Sequence, residues 1–170
     1  MFNYGFITAA DVALATEPVT LAEAKAWCKI DHNDEDALLL GLITGARQTI
    51  EGFTVRALVS KTVSLTIETS ISLERFKLPY GNISGLVITD EDEAAVTTDY
   101  YTLRNNILRL NAYGDFAITY TAVAFVPQAL KQAVLMEIAE RYAHRGENVT
   151  TEGISEGAKS VAAQYVDVWV

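Results

Sequence analysis

Residues 34–52 read DEDALLLGLITGARQTIEG, and residues 61–68 read KTVSLTIE. The first stretch is helical by its period. Leu38, Leu42, Ala46 and Ile50 recur at every fourth position, with Leu39 and Ile43 beside them. That pattern is one face of a helix from about Asp34 to Gly52. The second stretch has period two. Val63, Leu65 and Ile67 alternate with Ser64, Thr66 and Glu68, as in a half-buried strand. The switch of period near Arg56 decides the fold class, because helices bordering a run of strands predict α+β.

Upstream of residue 34, Met1 to Glu17 is mixed apolar and small and reads as an extended N-terminal arm. Thr20 is followed by Glu23 at the spacing of a capping box, which starts a short helix over about Leu21 to Ile30. The run Asp31-His32-Asn33-Asp34-Glu35-Asp36 then caps the second helix, where the macrodipole favours acids. Downstream, the alternation continues through Leu86 and Ile88, Tyr101 to Leu103, Ile107 to Leu110, and Phe116, Ile118 and Tyr120. Asn105-Asn106 marks a turn. Five or six short antiparallel strands are expected between Arg56 and Ala122. Pro127 opens a third helix, striped by Leu130, Val134, Ile138 and Tyr142 and ending near Arg145-Gly146. Tyr165 to Val170 reads as a terminal strand. The expected architecture is a bundle of about three helices (18–55 and 125–146). An antiparallel β block (56–124) is inserted in it, with an arm (1–17) before and a tail (147–170) after.

Composition narrows the function. The chain has 170 residues, half of them apolar, so it can bury roughly 70% of its unfolded surface and form a core unaided. Lys and Arg number 13 against 22 Asp and Glu, a net charge of −9. Such a chain is a poor overall match for nucleic acid or a membrane surface, because phosphate contacts need clustered Lys or Arg. One cysteine, Cys28, and two histidines, His32 and His144, rule out an internal disulfide framework and a structural Cys/His zinc site. The first basic residue is Lys25, so the start reads as lacking a secretory signal. The longest uncharged run, Phe116 to Leu130, is 15 residues, contains Pro127 and is too short to span a bilayer. No phosphate loop, nucleophile elbow, calcium loop or carboxylate pair occurs. Cys28 reads as a small buried hydrophobe, His32 as a solvated loop residue, and His144 as a cation favoured at a helix C-terminus. No catalytic residue, metal or cofactor is expected.

Three features point to surfaces. Leu40 lies off the main stripe of the second helix, on the face of Thr44, Arg47 and Glu51, with Gly41 and Gly45 one turn apart nearby. Each glycine costs up to about 1 kcal/mol in a helix interior, which either the helix simply tolerates or close approach of another backbone offsets. Glu137 and Arg141, at i and i+4 on the third helix, either pair within it or face a neighbouring subunit. Leu135 and Met136 also lie off that helix's stripe, so it is either deeply buried or held between subunits. The terminal segment either completes the chain's own sheet or adds to a partner's edge.

Several fragments, in order, resemble the head–tail connector family of tailed bacteriophages, also called the adaptor or head-completion family. They are Pro18-Val19-Thr20-Leu21-Ala22-Glu23-Ala24-Lys25, Asp34 to Leu38, Ala46-Arg47, Glu51-Gly52-Phe53-Thr54 and Arg56-Ala57-Leu58. Leu78-Pro79-Tyr80-Gly81, Pro127 to Val134 and Arg141-Tyr142 through Arg145-Gly146-Glu147 continue the series. Val55 stands where the family often has glycine, and the C-terminal tail departs from the common family ending. The resemblance implies a structural protein of the virion neck, assembled in the bacterial host cytoplasm and without contact to a membrane. It implies a homo-oligomeric ring of about twelve copies beneath the portal protein. That ring extends the DNA channel and offers a platform to a downstream stopper or tail protein. Genomic DNA passes through the lumen without sequence-specific binding. A ring carrying on the order of −100 charges suits a channel that must release phosphate. The Asp90 to Glu93 turn and the Asp31 to Asp36 run are solvated or lumen-facing in this reading. Portal docking falls to Tyr165, Val166, Val168, Trp169 and Val170, and inter-subunit contact to Leu40, Gly41, Gly45, Glu137 and Arg141. The alternatives are another neck or tail ring component, such as a stopper or tail terminator, or a small ligand-binding domain.

Overall fold

The computed structural model describes residues 4–11, 16–69, 74–145 and 153–166. These fall into two compact units, one holding residues 4–11 and 59–124 and the other 16–58 and 125–166. The fold is mixed α+β, with four helices and two antiparallel sheets among the described residues. That is one helix more than the period analysis predicts.

In the helical unit, α1 (Leu21–Cys28) begins at the expected capping box. Thr20 Oγ1 accepts from the Glu23 N–H at 3.2 Å, and Glu23 Oε2 accepts from the Thr20 N–H at 2.9 Å. The longest helix, α2 (Asp36–Thr54), buries Leu39, Ile43, Ala46, Arg47, Ile50, Glu51 and Thr54. The expected stripe therefore needs correction, since Leu38 is 42% exposed. A repeat of four overshoots the helical turn by about 40° per step, so a strict i, i+4 row drifts off the buried face. Gly52 does not stop the helix, which runs two residues further and ends where Val55 takes a left-handed conformation (φ +53°).

The third helix, α3 (Gln128–Ala143), follows Pro127 and touches α1, α2 and α4 (Glu156–Ala162). Buried residues of these helices, among them Ile43, Ala46, Ile50, Leu130, Val134, Ile138, Ala158 and Ala162, share one core with Val19 and Leu58. The presence of α4 corrects the reading of residues 147–170 as a tail. Ser155 caps it by accepting from the Ala158 N–H. Its alanines let it lie close on α3, and a Cβ added at Gly157 would sit 2.7 Å from Met136 Cε. Met136 is thus apolar where α4 lies against it, and Leu135 is buried in the shared core. The expected terminal strand also changes. Tyr165 closes a 3-10 turn (Ala163–Tyr165) and Val166 is extended, while Asp167 to Val170 lie outside the described residues.

At the centre of α2 the Arg47 side chain is almost wholly buried. Its Nε donates to Glu17 Oε2 at 2.9 Å and its Nη1 to Glu51 Oε2 at 2.8 Å. Glu51 Oε1 in turn accepts from the Leu58 N–H at 2.8 Å, and Glu17 Oε1 from Thr44 Oγ1 at 3.0 Å. The Arg47 and Glu51 face, expected to point away from the core with Leu40, is therefore interior.

The β unit has a four-stranded sheet in the order β1 (Tyr4–Asp11), β2 (Lys61–Thr69), β7 (Gly114–Ala122), β4 (Ile83–Thr89). A three-stranded sheet has the order β3 (Glu74–Lys77), β6 (Ile107–Leu110), β5 (Tyr101–Arg104). Part of the expected N-terminal arm is thus β1, an edge strand paired antiparallel with β2. Alternation places Val63, Leu65, Ile67, Phe116, Ile118 and Tyr120 inside on the first sheet, and Phe76, Leu108 and Leu110 inside on the second. Asn105 and Asn106 both have positive φ, the geometry of a two-residue hairpin turn. The Tyr120 hydroxyl is buried and donates to the Pro79 carbonyl at 2.9 Å.

Two outcomes are expected in urea denaturation of the full chain. Arg47→Ala strands two carboxylates in or beside the interior and lowers stability by about 3–5 kcal/mol. Val55→Gly removes a β-branched residue from the left-handed region and raises stability by about 1 kcal/mol.

Candidate functional site

Of the residues expected to dock on a partner, Tyr165 and Val166 are described and both are half-buried. Val168, Trp169 and Val170 lie outside the described residues. Tyr165 is tied into the helical unit by an anchor that period analysis does not reveal. Arg56 Nε donates to the Tyr165 carbonyl at 2.7 Å, and its guanidinium lies 5.5 Å from the centre of the Phe125 ring. The Phe125 and Tyr165 rings are 6.1 Å apart. The signal in the sequence is an arginine at the change of period followed by Ala57-Leu58-Val59, all buried.

The expected inter-subunit residues divide into two groups. Leu40 is 54% exposed, and a Cβ on Gly41 would meet nothing within 4 Å. A Cβ on Gly45 would lie 3.1 Å from Arg141 Nη1, so this glycine makes room for a guanidinium of the same chain rather than for a second backbone. Arg141 and Glu137 take the first of their two readings and pair within α3 at 2.8 Å. Arg141 Nη2 also reaches Thr49 Oγ1 at 2.6 Å, and the buried Glu137 accepts from the Ser155 N–H at 2.8 Å. These two side chains therefore fasten α3 to α2 and to the residue that caps α4.

The acidic run before α2 does not cap it through a side chain. Glu35 accepts from the Tyr142 hydroxyl and pairs with Arg145 at 3.2 Å. Asp36 pairs with Lys25 Nζ at 2.8 Å, and that amine also reaches Asn33 Oδ1 at 2.6 Å. The run thus bridges α1, α2 and α3, while Asp31, His32 and Asp34 stay exposed. Cys28 is half-buried, and burial pushes its thiol pKa up, which suits a packing role. His144 is the C-cap of α3, with Nδ1 3.3 Å from Glu140 Oε1.

A cleft of about 560 Å³ runs beside α3, with Met136, Glu140, His144, Ile154 and Glu156 among its lining. Both oxygens of the buried Glu137 at its wall are bonded. Among the described residues no buried side-chain polar atom lacks a partner, and no cluster of His, Cys, Asp and Glu could hold a metal. No described helix is long and apolar enough to cross a membrane. What the described surface offers is contact: Trp27, Leu38 and Leu40 on the helices, and Val87, Tyr100 and Tyr113 in the β unit, are all exposed.

Residues 18–166 match the family model for phage gp6-like head-tail connector proteins. Two solved structures share the fold over nearly the whole chain. A chain from the neck of an empty gene transfer agent particle, computed with C6 symmetry, superposes with a TM-score of 0.71 at 19% identity, covering 96% of this chain and 97% of that one. A chain from the virion of a native gene transfer agent particle gives 0.67 at 22% identity, with the same coverage of 96% and 97%. No curated protein sequence matches this chain.

Glu23 joins the start of α1 to α3. Besides its capping bonds it takes the Lys131 ammonium at 2.5 Å. The Lys131 hydrogen bond, then the Thr20 backbone and side-chain bonds, hold its carboxyl at about 2, below its ordinary 4.5. Because the folded value is the lower one, the contribution is complete above pH 4.5 and is lost as the pH falls through about 2. Glu23→Gln is expected to lower the urea midpoint at pH 6, with the difference from wild type closing as the pH drops from 4.5 towards 2.

Proposed function

Because the chain belongs to the phage gp6-like head–tail connector family, we propose that it is the adaptor of a virion neck, closing into a ring beneath the portal. It is a structural protein of the head–tail interface, and its activity is assembly. The ring, of about twelve copies, extends the DNA channel and presents a platform to the next neck or tail protein. The observation that carries this reading is the extent of the family match. It spans residues 18–166, which include α1 to α4 and all strands but β1. The shared fold with a chain from a neck computed with C6 symmetry supports a closed cyclic assembly.

Within that ring, Leu40 and Gly41 supply the part of α2 open to a neighbour. Gly45, Glu137 and Arg141 serve the contact indirectly, by fixing α2 against α3. Portal docking falls to Tyr165, Val166, Val168, Trp169 and Val170. The Arg56 anchor on Tyr165 sets where that segment leaves the helical unit. The net charge of −9 per copy keeps the lumen from holding phosphate.

Deleting the gene from its source genome is expected to give tailless heads that leak DNA, seen by electron microscopy. Normal tailed, infectious particles would overturn the reading. Removing residues 167–170 alone is expected to give the same heads, while the purified chain keeps its circular dichroism spectrum and Tm because the Tyr165 anchor remains.

A further inference from the structure

The β unit sorts its charges by sheet. On the three-stranded sheet, Arg75 of β3 stands directly opposite Arg109 of β6, which in turn faces Thr102 of β5. Two residues along on the same side, Ile107 of β6 stands between Lys77 of β3 and Arg104 of β5. Phe76, Leu108 and Leu110 occupy the other side, fully buried. The outer side therefore carries three exposed arginines around a partly exposed isoleucine. On the four-stranded sheet the opposite arrangement holds. Glu68 of β2 stands directly opposite Asp115 of β7. These two, with Asp90 and Glu91, line a groove of about 410 Å³. None of the side chains of Arg75, Arg104, Arg109, Glu68 and Asp115 has a hydrogen-bond or ion-pair partner among the described residues.

Like charges placed opposite each other across a strand pair destabilise a sheet. This unit has one such pair of each sign. An opposite charge from outside would relieve both. Three clustered arginines stand out in a chain with only 13 basic residues, and a planar guanidinium fork matches carboxylates in pairs. A ring with nine net negative charges per copy disfavours a polyanion such as DNA at this face. A second copy of the chain, by contrast, brings the acidic groove itself. A surface that meets a different surface of the same chain is the kind of contact that closes rings.

We propose that the arginine face of the three-stranded sheet (Arg75, Arg104, Arg109) docks on the groove of Glu68, Asp90, Glu91 and Asp115 of a neighbouring copy. This contact rests on the ring reading above. It adds a second, electrostatic seam between copies, carried by the β units.

The test uses particles from the source genome carrying variant genes, counted by electron microscopy. Arg75→Glu with Arg109→Glu is expected to reduce tailed particles about ten-fold or more, as is Glu68→Arg with Asp115→Arg. All four changes together exchange the signs of the two opposed pairs and are expected to restore tails. In the purified full chain, the single change Arg75→Glu is expected to raise Tm slightly. It places opposite charges across β3 and β6, whereas Arg75→Glu with Arg109→Glu replaces one like-charge pair by another and is expected to keep the wild-type Tm. Assembly lost by the double variant at unchanged Tm is therefore not lost folding. Tailed particles at the wild-type level from either double variant would overturn the contact and leave the ring reading standing. Failure of the fourfold variant to restore tails would overturn it as well, and would assign the arginine face to DNA or another neck protein. Tailed particles from the plain deletion would instead remove the ring reading itself.

Discussion

Arg47 holds a full charge inside the helical unit, and three separate segments converge on it. Glu17 comes from the chain before α1, Glu51 from the next turn of α2, and Leu58 reaches Glu51 from the residues after α2. Burying an arginine is tolerable only when its donors meet acceptors. That requirement fixes where the chain enters and leaves the helical unit, and the two ends it fixes are the ones that lead to the strands. The apolar core of α2, α3 and α4 could shift in register by small amounts, as cores of aliphatic residues do. A bonded guanidinium cannot follow such a shift without losing its partners. Arg141 works in a similar way one layer out, joined to Thr49, Glu137 and Gly153.

Much of this was legible from residue periods. The capping box at Thr20, the helical run after Asp34, the alternation in β2 and β7, the Asn105-Asn106 turn and the helix after Pro127 are all local signals. What escaped is what depends on distant partners. β1 is an edge strand only because β2 is there to pair with it. The helix α4 is short and alanine-rich, and it shows no stripe until α3 offers a surface for Ala158 and Ala162. Glu51 and Arg47 looked like an outward face because charge usually means solvent. Gly45 looked like room for a second backbone, and the group that fills that room is a side chain from α3. The acidic run before α2 suggested capping, yet its Glu35 and Asp36 reach across to Tyr142, Arg145 and Lys25.

For assembly, the division of labour between the units matters more than any single residue. The helical unit spends most of its charges internally, through Lys25, Arg47, Lys131, Arg141 and Arg145. Its described surface offers apolar residues such as Trp27 and Leu40. The β unit leaves its arginines and several carboxylates unspent. Apolar contact supplies affinity with little geometric selectivity, whereas paired charges reject wrong partners and misaligned ones. A structural component of a virion neck benefits from having both.

The strand β1 closes a loop of about fifty residues before it meets β2, and β2 waits as long again for β7. The helical unit is interrupted in the same way, since α2 leaves its apolar face uncovered until α3 has been made. On the ribosome neither unit can finish before the other is nearly complete. Contacts this far apart in sequence fold slowly, and their exposed surfaces invite aggregation. Such a chain spends the interval after synthesis as its most vulnerable period. Host chaperones acting in that interval would govern how many assembly-competent copies a cell yields.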